Sequence, residues 1–401
     1  MKIIAKNILI ITTAHFPYGS ANSNLLSLLA IGLHKNNRNV SVLLQYDSVK
    51  RSGFFEGVYF KTCGIFKKST KITRLITQII LGITIPSFEI FKNRKKIDII
   101  ITFNNYFHES ILIIMIAKLL RIPCVHHQVD FYDWNWYSNN INNVFSRIIK
   151  YVSYNLRYNF LNKFNDGIIV ISHFLYNHFI DIKVDNKKLF ILSHLVEFQN
   201  FKNAGELELF NKENIVIGAL GPLNEENGIT VLLNAFKILC EKKENLRLLL
   251  IGGPSKSIEI YKKAARELSI INKIEFSGKI QYKQLEQKLS KCDIFVLSRP
   301  LSVYAIAGFP TKLGEYLACK RPIVITDYGD IHFFLKDKYN AMLAVPNSQE
   351  SLVSKIEYLI SNKKHAKVIA ERGYNWALKK LEFVKATKRT GVFLDSLLLN
   401  K

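Results

Sequence analysis

Acidic side chains are scarce here: 32 Asp and Glu stand against 56 Lys and Arg, a formal net charge of +24 over 401 residues. Cysteine is rarer still. The five thiols at 63, 124, 240, 292 and 319 are odd in number and never spaced C-x-x-C, which excludes a disulfide framework and fits a reduced cytoplasm. No pair of aspartates has D-x-D spacing and no His/Cys group has ligand spacing, so no metal and no bound cofactor is expected. The chain also lacks a run of 18 uncharged apolar residues, which excludes a polytopic membrane protein. Helix-turn-helix spacing, zinc patterns and aromatic-basic platforms are missing as well, so nucleic-acid binding does not follow from the charge. The apolar start Ile8–Ile11 runs into His15-Phe16-Pro17 rather than a small-residue cleavage site, and reads as a buried first strand rather than a signal peptide.

With 48% hydrophobic residues, the chain can bury enough surface to offset its ordering entropy. Short continuous β-branched runs alternate with helical patterns in two successive series. The first holds Ile8–Ile11, Val40–Leu44, Ile99–Thr102, Pro123–His126, Gly167–Ile171 and Leu189–Leu192. Helical stretches such as Leu25–Leu33, Ile111–Leu120 and Val144–Phe164 lie between them. After a polar break at 193–212, the second series runs Ile215–Ile217, Leu246–Ile251, Ile274–Phe276, Ile294–Leu297, Ile323–Thr326 and Met342–Val345. Continuous apolar strands suit parallel sheets covered on both faces. The expected fold class is therefore α/β, with two doubly wound parallel-sheet, Rossmann-like domains facing a cleft, and ligands beyond the carboxyl ends of the strands. The domains are expected at 1–200, with the C-terminal helix 375–401 packing back on it, and at 205–372.

The densest chemistry follows strand Ile294–Leu297. Ser298-Arg299-Pro300 leads into Gly308-Phe309-Pro310-Thr311-Lys312-Leu313-Gly314-Glu315. A helix starting near Thr311 presents free N–H groups and the positive end of its dipole, which together attract an anion. Lys312 adds a point charge, and Glu315, one turn on, can accept two hydrogen bonds from a ribose diol. The bland alternative is a plain helix start with a solvated lysine. In the first half, Phe16-Pro17-Tyr18-Gly19-Ser20-Ala21-Asn22-Ser23 precedes an apolar helix that Asn22 or Ser23 can cap. This is either a plain βα turn or a cleft loop in which Gly19 and Ser20 approach a ligand. Val125-His126-His127-Gln128-Val129-Asp130 follows a buried strand. Adjacent residues there point to opposite faces, so at most one histidine enters the cleft. His127 and Asp130 are the favoured site pair; the alternative is that both are structural.

The segment from Gly308 to Ala318, followed by Pro322-Ile323-Val324, resembles the C-terminal signature of group 1 glycosyltransferases of the two-domain GT-B fold. Further segments resemble that family in order. They are the first strand Ile8–Thr13 with Pro17–Ser20, Gly167–Ser172, Leu195-Val196-Glu197 with Phe201, Leu249–Pro254, Phe276-Ser277-Gly278, and Cys292–Leu297. The resemblance spans nearly the whole chain. It implies a retaining enzyme whose nucleotide-diphosphate sugar is a co-substrate held by Arg299, Gly308, Phe309, Pro310, Thr311, Lys312, Glu315 and Gly278. Glu315 matches the second glutamate of the family's E-x7-E pair. The first would fall at 307, where this chain has Ala307, so the identity of the sugar does not carry over.

A second departure is the absence of the family's Arg and Lys after the first strand of the donor domain: Gly218–Gly228 contains no cation. Arg299, Lys312 and the helix N-terminus are expected to substitute, since a leaving diphosphate needs positive charge or oriented dipoles. The alternative is a catalytically degenerate protein that binds a nucleotide sugar without turnover. The resemblance also implies a glycan or lipid-linked acceptor, a surface-polysaccharide or lipopolysaccharide precursor. Residues 61–96 carry nine basic residues against Glu89 alone. They read either as a peripheral contact with the inner face of the cell membrane or as an ordinary buried helix with solvated lysines at its ends.

Overall fold

A computed structural model describes residues 4–45, 52–63, 84–105, 107–206, 209–210 and 213–399. The chain divides into two compact units: unit 1 comprises residues up to Leu195 together with Phe383 onward, and unit 2 is Val196–Glu382.

Unit 1 is built on an eight-stranded sheet in the order β3-β4-β2-β1-β5-β6-β7-β8. Its strands are β1 (Asn7–Thr12), β2 (Asn39–Leu44), β3 (Ser52–Phe55), β4 (Val58–Thr62), β5 (Ile99–Phe103), β6 (Cys124–Gln128), β7 (Gly167–Val170) and β8 (Leu189–Ile191). All pairings are parallel except β3 with β4. The helices are α1 (Ala21–Lys35), α2 (84–92), α3 (Phe107–Leu119), α4 (Trp134–Asn140), α5 (Val144–Asn155) and α6 (His173–Asp181). Ile8, Leu9, Ile10 and Ile11 are all buried, because helices cover both faces of this central strand.

The β3–β4 hairpin was not legible as a sheet element. Its turn residues Glu56 and Gly57 both have positive φ, 47° and 81°, which is the backbone a tight hairpin needs. Only alternate residues of β3 and β4 turn inward, so no continuous apolar run marks them. The stretch expected to be one helix over Val144–Phe164 is three pieces instead. After α5 a π-helical turn spans Leu156–Phe160 and a 3₁₀ turn spans Leu161–Phe164, and these turn Arg157, Tyr158 and Leu161 inward.

Unit 2 holds a six-stranded, all-parallel sheet in the order β11-β10-β9-β12-β13-β14. The strands are β9 (Ile215–Leu220), β10 (Leu246–Ile251), β11 (Ile274–Gly278), β12 (Ile294–Leu297), β13 (Ile323–Thr326) and β14 (Met342–Ala344). Around it lie α7 (Lys202–Glu206), α8 (Ile229–Lys242), α9 (Ser255–Glu267), α10 (Leu285–Leu289), α11 (Val303–Ala307), α12 (Thr311–Ala318), α13 (Ile331–Phe334), α14 (Gln349–Ser361) and α15 (Lys363–Lys380). One core joins Ile217 and Leu248 of the sheet to Leu232 and Phe236 of α8 and Leu352 and Ile356 of α14.

The last helix, α16 (Phe383–Leu399), belongs to unit 1, where it packs on α1. Two glycines allow the close approach: a Cβ at Gly32 would lie 2.4 Å from Thr387 Oγ1, and one at Gly167 would lie 2.7 Å from Leu397 Cδ1. Arg38 and Asp395 meet in a two-pronged ion pair of 2.8 and 2.9 Å, with Asp395 also accepting from Ala5 N–H. The two units are thus both α/β with parallel sheets, as the strand pattern required.

Candidate functional site

In unit 2 the loops after β9, β10, β11 and β12 gather at the carboxyl ends of their strands. Gly221 N–H donates to Ile251 O, and Gly252 N–H donates to Gly278 O, which closes the β9, β10 and β11 loops together. Ser298 Oγ donates to the carbonyls of Asn227 and Gly228 at 3.1 and 2.9 Å, which ties the β12 loop to the β9 loop. Gly228 has φ +67°, and a Cβ there would lie 1.9 Å from Ser298 O, so this contact exists only because residue 228 is glycine.

Helix α12 is anchored across the same end of the sheet. Leu220 N–H donates to Tyr316 Oη, and the Tyr316 ring stacks on Phe295 at 4.1 Å. Lys312, Glu315 and Tyr316 share a helix face, so this anchor carries Lys312 and Glu315 to the head of β9. Lys312 Nζ donates to Asn227 Oδ1 at 3.1 Å, and Arg299 Nη2 reaches the same oxygen at 3.3 Å. Asn227 is held with its carbonyl toward them because its amide nitrogen donates to Pro222 O and Asn224 Oδ1. The aliphatic stem of Lys312 lies against Gly221, where a Cβ would sit 2.4 Å from Cε.

The two cations therefore project into the very loop that carries none of its own. Asn227 and Gly221 make this possible, and no sequence signal singled out either residue. Burial and the neighbouring Arg299 hold Lys312 down to about 7, while burial pushes Glu315 up to about 7 against the pull of Lys312. Lys312 and Arg299 thus share one neutral oxygen, and both can attract an anion at this end of the sheet. Gly308, Phe309 and Pro310 lead into α12, with Pro310 at its cap position and Thr311 first in the helix. Phe309 is buried against Phe334, and Ala307 is buried at the end of α11. Gly278 ends β11, two strands from β9.

In unit 1, α1 is capped by Ser20, whose Oγ accepts from Ser23 N–H, not by Asn22 or Ser23. A Cβ on Gly19 would press on His15 and Ser23 at 3.0 and 2.9 Å. The two histidines of β6 part company as the strand alternation requires. His126 is fully engaged, with Nδ1 2.9 Å from Thr102 Oγ1 and Nε2 3.1 Å from Gln128 Oε1. His127 is buried edge-on to Phe103, and neither of its ring nitrogens has a hydrogen-bond partner among the described residues. Burial pushes its imidazole down to about 3, so it is neutral at pH 7 and can donate or accept but not serve as a strong base. Asp130 acts as a tie: its Oδ2 accepts from Asn22 Nδ2 and Asn104 Nδ2, both at 3.0 Å, joining the start of α1 to the loops after β5 and β6. Burial raises its pKa, opposed by those hydrogen bonds.

Residues 201–376 match the model of the family "Glycosyl transferases group 1". Among curated relatives, an uncharacterised glycosyltransferase of Methanocaldococcus jannaschii is 23% identical over 314 residues, 76% of this chain and 77% of that protein. Among solved structures, HepE of Anabaena in complex with UDP and glucose is 17% identical, covers 98% of this chain and 100% of its own, and superposes with a TM-score of 0.68. WaaG, a glycosyltransferase involved in lipopolysaccharide biosynthesis, is 13% identical with a TM-score of 0.66, covering 96% and 99%. The fold is that of the GT-B glycosyltransferases, and unit 2 carries the group 1 domain. The chain is a glycosyltransferase.

Proposed function

We propose that the chain transfers a sugar, with retention, from a nucleotide-diphosphate sugar to a glycan acceptor, and that this acceptor is a lipid-linked surface-polysaccharide or lipopolysaccharide precursor. The observation that carries the donor half is the convergence of Lys312 and Arg299 on Asn227 Oδ1, with Glu315 one turn along α12. In this reading the donor diphosphate is the anion that Lys312 and Arg299 meet. As the sugar–phosphate bond breaks, charge developing on the leaving diphosphate is met by two side-chain cations and the N-terminal N–H groups of α12. Glu315 accepts the ribose hydroxyls. His127 contributes a neutral hydrogen-bonding contact, and Asp130 positions the loop that follows its strand. The complexes of HepE with UDP and with UDP-glucose support a nucleotide sugar, and the part WaaG takes in lipopolysaccharide biosynthesis supports an envelope acceptor.

The test is a thermal-shift panel of nucleotide-diphosphate sugars and free nucleotides without added metal. Saturation at about 100 times Kd should stabilise the protein by about 2.7 kcal/mol for one nucleotide series. Lys312→Ala and Glu315→Ala should each abolish that shift. If either leaves affinity and turnover unchanged, the donor site is misplaced. Ala307 and the cation-free 218–228 loop favour one competing reading, a nucleotide-sugar binder without turnover. Saturable donor binding with neither transfer nor sugar release would establish it.

A further inference from the structure

Helix α5 is folded inside out. A helix on a globular domain normally turns its aliphatic stripe to the core. Here the inward side is aromatic: Tyr154 is buried, its hydroxyl donates to Asp130 O at 2.8 Å, and its ring stacks on Tyr158. Tyr151 packs edge-on against Trp134 and Tyr137. The aliphatic residues face out, together with Phe145. Val144, Phe145, Ile148, Ile149, Val152 and Leu156 are all exposed, Phe145 by 74%, and the following turns carry the stripe on to Phe160 and Phe164. Alongside, His108 of α3 meets Ser153 of α5 at 3.2 Å. Met115 and Leu119, on the same face of α3 as His108, are exposed by 61% and 81% and widen the surface.

Neighbouring exposed apolar side chains of this kind mark an interaction surface. Its charge selects the partner. No Asp or Glu occurs between Asp133 and Asp166, whereas Lys150 and Lys163 flank the stripe, and both are exposed. An apolar stripe of Phe, Ile, Val and Leu beside lysines, without carboxylates, on a chain of net charge +24, complements a surface that is apolar within and anionic at its rim.

We propose that the outward face of α5, continued by Phe160 and Phe164 and by Met115 and Leu119 of α3, seats on an anionic lipid bilayer. The side chains enter the acyl boundary while Lys150 and Lys163 meet the headgroups. The inference deepens the lipid-linked acceptor reading and rests on it for placing the enzyme where such acceptors reside. It assigns the membrane contact to a surface outside residues 61–96, of which 64–83 lie outside the described residues.

The full chain should co-sediment with phosphatidylglycerol-containing vesicles, more weakly with phosphatidylcholine vesicles, and more weakly as salt rises. Brominated acyl chains should quench Trp134 and Trp136, which needs no variant. Phe145→Ser with Ile149→Ser should lower vesicle affinity at least about tenfold while leaving the nucleotide-sugar thermal shift unchanged. Equal vesicle binding by the variant would overturn the assignment to α5 yet leave membrane association standing. Binding to neither vesicle, or a concentration-dependent dimer that the substitutions abolish, would overturn the lipid proposal. Vesicle binding without any donor shift would refute the donor reading alone.

Discussion

At the residue scale, the decisive fact is that two cations meet at an asparagine. A lysine held near 7 beside a carboxyl held near 7 makes donor affinity depend on pH in a defined direction. As pH rises through about 7, Lys312 loses its proton and Glu315 gains a negative charge, and both changes disfavour a bound diphosphate. Affinity for a nucleoside diphosphate should therefore fall from about pH 6 to about pH 8, by up to about tenfold per unit for each proton linked to binding. Lys312→Arg with Glu315→Gln should flatten that slope, as titration calorimetry across the range would show. A wild-type affinity constant over this range would mean that neither group senses the bound nucleotide. The motif around 308–315 was legible in sequence, because adjacent residues on a helix start are a local pattern. The partner of Lys312 was not: Asn227 lies 85 positions away and is selected by packing.

At the scale of elements, the β9 and β12 loops are held by glycine rather than by side-chain size. Gly228→Ala must move Ser298 O out of a 1.9 Å contact and place alanine at a left-handed φ. It should cost more than about 2 kcal/mol and should loosen Arg299, which follows Ser298 directly. Urea unfolding together with nucleotide affinity tests both effects, and an unchanged midpoint would refute the argument. The parallel strands were predictable because fully buried β-branched runs leave an unmistakable mark. The β3–β4 hairpin left none, since half of its residues face solvent. The helical period over Val144–Phe164 was visible too, but period does not say which face turns inward. The inward side of α5 was settled by the tyrosines that close over Asp130.

At the scale of the whole molecule, unit 1 depends on a helix supplied from the far end of the chain. Arg38 and Asp395 are separated by 357 positions and are almost fully buried in their two-pronged pair. Asp395→Ala strands the guanidinium in the core and should cost about 3–5 kcal/mol. Asp395→Ala paired with Arg38→Met should recover part of that loss, a comparison made by chemical denaturation. Cutting the chain after Leu381 removes α16, strips the cover from α1 and exposes the Gly32 and Gly167 contacts, so unit 1 should lose cooperative unfolding. Full activity in the truncated protein would refute this. No helix among the described residues is long and apolar enough to cross a membrane.

The sequence by itself determined two successive α/β sheets, every strand in them but β3 and β4, and the loop from Gly308 to Glu315. Those follow from short-range periodicity and from residues adjacent along the chain. Only the tertiary structure decided that Lys312 and Arg299 meet at Asn227, that His126 is paired while His127 has no hydrogen-bond partner among the described residues, and that α5 turns its aliphatic face outward. Each of these depends on contacts between residues distant in sequence, and such contacts are set by how packed elements exclude one another's side chains, which no local pattern records.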